Sequence, residues 1–259
     1  VRLRSFVLPL LALLVACDAR PTPPPAPSAA LSSAPAPGPE RATYVEVLTG
    51  GATLGEALPL IVGLHGLGDR PERFIGMLAD LDRKTRLVAM RGVEPYHGGF
   101  SWFTFTGKVG DPASIPGVRR SAAVVADTVA ALVREHPTRG KPIVVGFSQG
   151  GVLAYALATR HGAAFSAAFP VGAFLQAPLW DEALAAHAPP IEAFHGEADP
   201  LVTLDLATGT RDGLAARGIP VVLHTYPGVP HGVPESVRRE LFVALRRAVD
   251  QQAQAPAAP

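Results

Sequence analysis

The sequence predicts an α/β fold with a mostly parallel central sheet of about seven strands, flanked by helices on both faces. Three observations predict it. Short apolar runs at 44–48, 58–64, 87–90, 143–147, 167–171, 191–194 and 221–225 recur along the chain. Helical patterns separate most of them, and strands alternating with helices form parallel sheets covered on both sides. A Gly-x-Ser-x-Gly motif also sits where one strand run ends and a helical pattern begins. With 259 residues, 48% of them hydrophobic, the chain has enough apolar material for one sizeable core.

The amino-terminal residues read as a targeting segment. Arg2 and Arg4 precede an uncharged run rich in Leu and Val. That run is shorter than the about 20 residues needed to cross a bilayer core, and it fits the apolar part of a secretory signal. It ends in Leu14-Val15-Ala16-Cys17, which resembles a bacterial lipoprotein lipobox. The resemblance implies a signal peptide over 1–16 and lipidation of Cys17. The protein would then be exported and held by that anchor at a membrane, facing the periplasm or the cell exterior. Residues 17–40 are dominated by Pro, Ala and Ser, a composition that cannot bury apolar area and suits an extended tether. A single folded domain is expected over 41–250, and 251–259 reads as a disordered tail.

Within 41–250 the helices show their buried faces. Ala122, Val125, Val129, Leu132 and Val133 recur at three and four residues, as do Val237, Leu241, Leu245 and Val249. Two further helices are expected at 150–158 and 204–216. The composition excludes several functions. A net charge of +1 gives no footprint for nucleic acid. One cysteine allows neither an internal disulfide nor a thiolate metal cluster, and no His-Glu-x-x-His zinc motif occurs.

Gly146-Phe147-Ser148-Gln149-Gly150 carries the chemistry. A strand, a sharp turn and a helix are the setting of a nucleophile elbow, where glycines relieve the crowding of a strained turn. Serine needs a base, and in this arrangement an acid and then a histidine should follow it, each in a loop after a strand. Five histidines follow Ser148. His161 and His187 end helical patterns, His195 ends a strand just before the best acid candidate, and His224 lies inside a strand run. His231 lies past the last strand and before the last helix. For the acid, Asp199 follows the strand at 191–194, with Glu197 and Asp205 in reserve. The oxyanion amides are expected from Gln149, after the nucleophile, and from the Gly-rich segment His65-Gly66-Leu67-Gly68-Asp69, at Leu67.

These segments, with Gly151, His195-Gly196, Pro200, Val202 and Tyr226, resemble the phospholipase/carboxylesterase family, which includes the acyl-protein thioesterases. The resemblance spans about 59–248. It implies a compact α/β-hydrolase that cleaves a small-molecule ester or thioester. Arg91-Gly92 and Gly98-Gly99-Phe100-Ser101-Trp102-Phe103 resemble the family's segment ahead of the first long helix, and Gly172, Phe174 and Leu175 its strand loop after the elbow. The chain departs from the family at Thr104, where an acidic residue is frequent, and at Thr203, where proline is. The export signal shifts the expected substrate from acylated cytosolic proteins to general carboxylic esters. Lysophospholipase, peptidase and polyester-depolymerase activities use the same scaffold, and a tethered binding module is the non-catalytic reading. No cofactor or metal is called for, because serine supplies its own nucleophile. Trp102, Phe174 and Leu175 are the expected lining of an acyl pocket, although such side chains also serve as plain core.

Overall fold

The computed structural model describes residues 41–180 and 185–256. In chain order, β1 spans Tyr44–Thr49, β2 Leu60–Leu64, α1 Pro71–Leu78, β3 Thr85–Met90, β4 Glu94–Tyr96 and β5 Gly99–Ser101. Then follow α2 Ile115–Glu135, β6 Ile143–Phe147, α3 Gln149–Arg160, β7 Ala167–Val171 and α4 Ala177–Trp180. The last elements are β8 Ile191–Gly196, α5 Leu204–Ala215, β9 Val221–Tyr226 and α6 Glu235–Ala253.

The seven expected strands form one sheet in the order β1-β3-β2-β6-β7-β8-β9. Only the edge strand β1 runs antiparallel to its neighbour; the other pairings are parallel. Strands β2, β3 and β7 are buried along their whole length. Their continuous apolar sequences follow from a parallel sheet covered on both sides.

Alternation within a strand divides the core in two. Leu60, Val62 and Leu64 pack into one cluster with Val118, Val125 and Leu132 of α2 and Leu153 and Leu157 of α3. Ile61 faces the other way, into a cluster with Phe74 and Leu78 of α1 and Leu241 and Leu245 of α6. The period of two in the strand and of 3.6 in the helices meet in these layers. Helix α1, absent from the sequence reading, adds about two turns to this packing and is entered through Pro71 at its first position.

From β2 the chain moves outward to β3, then returns past β2 to β6. The carboxyl ends of β2 and β6 therefore flank the point where strand order reverses, where open α/β sheets hold their ligands.

The expectation of a disordered tail is corrected for 251–256. Helix α6 runs on to Ala253. Gln252 Oε1 accepts a 2.9 Å bond from the Lys141 amide, and Pro256 O accepts one of 3.2 Å from the Gly140 amide. The helix end thus satisfies the backbone of the turn that precedes β6. The expected signal at 1–16, Cys17 and the linker to residue 40 lie outside the described residues, as do 257–259. No helix among the described residues is long and apolar enough to cross a membrane.

Candidate active site

The turn after β6 is built for close backbone approach. Ser148 has φ 53° and ψ −116°, one of two non-glycine residues with positive φ among the described residues. Such a conformation costs on the order of 1–3 kcal/mol and persists only where its surroundings enforce it. Its amide donates to Val171 O at 2.9 Å, and α3 starts at the next residue. A Cβ at Gly146 would lie 2.1 Å from Gly150 O, and one at Gly150 would lie 2.0 Å from Leu64 O. The motif's glycines are required because the turn folds back on itself while the helix start presses on the end of β2.

Ser148, His231 and Asp199, far apart in sequence, join in one hydrogen-bonded chain. His231 Nε2 lies 3.0 Å from Ser148 Oγ, and His231 Nδ1 lies 2.6 Å from Asp199 Oδ2. The Asp199 carboxylate is buried, with a side-chain exposure of 1%. Its other oxygen, Oδ1, accepts from the amides of Leu201 and Val202, both at 2.9 Å. A buried carboxylate is tolerable when its lone pairs are filled by donors in this way. With Nδ1–H committed to Asp199, the lone pair of Nε2 faces the serine hydroxyl. The reserve acids are elsewhere: Glu197 and Asp205 are exposed. His224 is engaged with Glu192 at 2.8 Å across the β8–β9 pair.

The segment after β2 is held from several sides. His65 is fully buried; its Nε2 accepts from the Gly92 amide at 3.0 Å, and Nδ1 donates to Gly66 O at 2.7 Å. The Trp102 indole N–H donates to His65 O at 2.9 Å, and the Gly68 amide donates to Phe100 O at 2.8 Å. On the α3 side, Gln149 Oε1 accepts from Ser101 Oγ at 3.1 Å and the Trp102 amide at 3.0 Å, while Nε2 donates to Phe103 O at 3.0 Å. The amides of Leu67 and Gln149 remain without a hydrogen-bond acceptor among the described residues. A Cβ on Gly66 would stand 3.6 Å from the Ser148 Cβ, so this segment lies alongside the serine.

A cavity of about 370 Å³ opens at Ser148 and His231. Leu67, Phe103, Phe105, Val152 and Phe174 give it largely apolar walls, the usual character of a small-molecule pocket. Of the three expected lining residues, only Phe174 takes part. Trp102 is completely buried, with its ring 5.2 Å from that of His65. It is a strut between the two loops, because its indole N–H requires an acceptor and finds one beneath the surface. Leu175 is also completely buried and is absent from the walls of this cavity; its amide donates to Thr210 Oγ1 of α5 at 2.9 Å, and it lines an adjoining second cavity instead.

His195, at the end of β8, is almost fully buried; its Nε2 donates to Val202 O at 2.8 Å. Burial pushes His65 and His195 below the ordinary histidine value of 6.5. Below that value the unfolded chain binds protons that the folded protein refuses, so stability should fall as the pH drops through and below about 6.5. Thermal unfolding should show a lower midpoint at pH 5 than at pH 7, with part of the difference removed in His195→Gln. A midpoint equal at the two pH values would contradict this.

The family model described as Phospholipase/Carboxylesterase matches residues 53–242. Acyl-protein thioesterase 1 of Neurospora crassa is 23% identical over 193 residues, which cover 66% of this chain and 79% of that protein. Among solved structures, esterase PE8 superposes with a TM-score of 0.68 at 23% identity, over 80% of this chain and 99% of that one. Acyl-protein thioesterase 2 of Zea mays superposes with a TM-score of 0.63 at 24% identity, again over 80% and 99%.

Proposed function

Because the chain belongs to the phospholipase/carboxylesterase family and is a hydrolase of the esterase or thioesterase type, we propose that it cleaves esters of short to medium acyl chains through an acyl-enzyme on Ser148. The observation that carries this is the Ser148–His231–Asp199 chain at the mouth of an apolar cavity. His231 Nε2 takes the hydroxyl proton as Ser148 Oγ attacks the ester carbonyl carbon. The carbonyl oxygen gains the negative charge and is met by the amides of Leu67 and Gln149. Such donors are aimed before the charge develops, and they need no reorganisation when it does. The imidazolium then gives its proton to the departing alkoxide, leaving the acyl group on Oγ. Water, deprotonated by the same nitrogen, releases the acid and restores the serine. Asp199 holds the ring and stabilises the imidazolium without itself taking the proton.

Thioesters enter the same scheme with a thiolate leaving. The signal-like apolar run and the resemblance of Leu14-Val15-Ala16-Cys17 to a lipobox support the same reaction carried out outside the cytosol, on a membrane tether.

A fluorophosphonate probe tests the assignment directly. Peptide mass spectrometry of the labelled protein should find the adduct on Ser148, with labelling lost in His231→Ala. An adduct on any other residue, or an unlabelled but folded wild type, would overturn it.

A further inference from the structure

The cavity at Ser148 shares four wall residues, Val109, Gly110, Phe174 and Gln176, with a second cavity of about 460 Å³. The second cavity does not reach Ser148. Its other walls include Ile115, Trp180, Leu206 and Gly209, from α2, α4 and α5. Of the shared residues, Gln176 is pinned: its Nε2 donates to Ser114 Oγ at 2.7 Å and to Asp111 O at 3.1 Å. Gly110 has φ 77°, and a Cβ placed there would stand 3.3 Å from the tip of the Phe174 ring. The ring therefore lies against bare backbone, with a held glutamine beside it. Phe174 is the large apolar side chain in the partition.

We propose that the second cavity is a distal acyl subsite, and that Phe174 closes it off and so sets the length of acyl chain the enzyme accepts. This rests on the reading of Ser148 as the nucleophile. An acyl chain attached to Ser148 enters the first cavity and stops at the ring. Without the ring, the chain continues between α4 and α5 into walls that are mainly apolar, with Asp205 among them. Each methylene newly buried there should favour the longer ester by about fourfold.

Gly209 provides the complementary change. It lies in α5, lines only the second cavity, and a Cβ added to it meets nothing within 4 Å. A leucine there fills the second cavity and leaves the first untouched. The test measures kcat/KM for p-nitrophenyl esters from butyrate to dodecanoate, as the ratio of long to short chain within each variant. Phe174→Ala should raise that ratio by roughly 15-fold for two methylenes admitted, and adding Gly209→Leu should return it toward the wild-type value. Phe174→Leu, a smaller loss of core volume, should move the ratio in the same direction by less. It decides the matter if the alanine variant does not fold. An unchanged ratio in a folded Phe174 variant, or a gain that survives Gly209→Leu, would overturn the proposal. Failure of the nucleophile assignment would appear separately, as loss of fluorophosphonate labelling at Ser148 in the wild type.

Discussion

Replacing Ser148 with alanine should lower turnover of p-nitrophenyl butyrate by about a million-fold, as removal of the serine does in other hydrolases of this chemistry. The fold should survive. Alanine has the same backbone limits as serine, so the strained turn at φ 53° is no harder to hold, and among the described residues no side-chain hydrogen bond other than that to His231 is given up. Only the attacking oxygen is lost. What remains is the cavity, the two free amides and an imidazole whose Nε2 now faces water. That residual apparatus still polarises a bound carbonyl, and it accounts for activity that should remain above the uncatalysed rate. Turnover should be measured together with thermal melting. A variant that melts like the wild type but hydrolyses the ester at full rate would place the nucleophile elsewhere.

Much of this arrangement is legible in the residues. The elbow is readable because steric demand forces it into sequence: glycine is the only residue that fits at 146 and 150, where backbone carbonyls come within about 2 Å of a would-be Cβ. His231 and Asp199 are readable because chain order in a parallel sheet places both loops at the carboxyl ends of their strands, beside the serine. What escaped reading depends on direction and on distant partners. Phe174 and Leu175 are neighbours, yet only Phe174 lines the cavity at Ser148, while Leu175 gives its amide to Thr210 on α5 and lines only the second cavity. Nothing local distinguishes them. Trp102 reads as a pocket aromatic until its indole is seen to hold His65 O, a partner 37 residues away. The docked end of α6 depends on Gln252 reaching the backbone of Lys141, which no composition rule anticipates. Helix α1 is too short for its three-and-four spacing of Phe74, Ile75 and Leu78 to stand out.

Asp199→Asn should lower turnover by about ten thousand-fold while leaving the fold intact, and the reason lies in the donors around the carboxylate. Oδ1 accepts from the Leu201 and Val202 amides, so an asparagine must keep its carbonyl oxygen there. Its NH2 group is then forced to the Oδ2 position, facing His231 Nδ1. A donor facing Nδ1 makes that nitrogen the acceptor and moves the ring proton to Nε2, where it points at Ser148 Oγ. The ring can no longer accept the serine proton. His231→Ala should remove nearly all activity, as loss of the histidine does in related chemistry. Only the neutral ring of His231 can act as base. Single-turnover kinetics on folded variants reads these effects apart from unfolding. If Asp199→Asn matched the wild type while Glu197→Gln or Asp205→Asn were crippled, the acid would be misassigned. If His224→Ala were dead and His231→Ala active, the base would lie on β9 and the hydrogen-bonded chain to Ser148 would have no part in the chemistry.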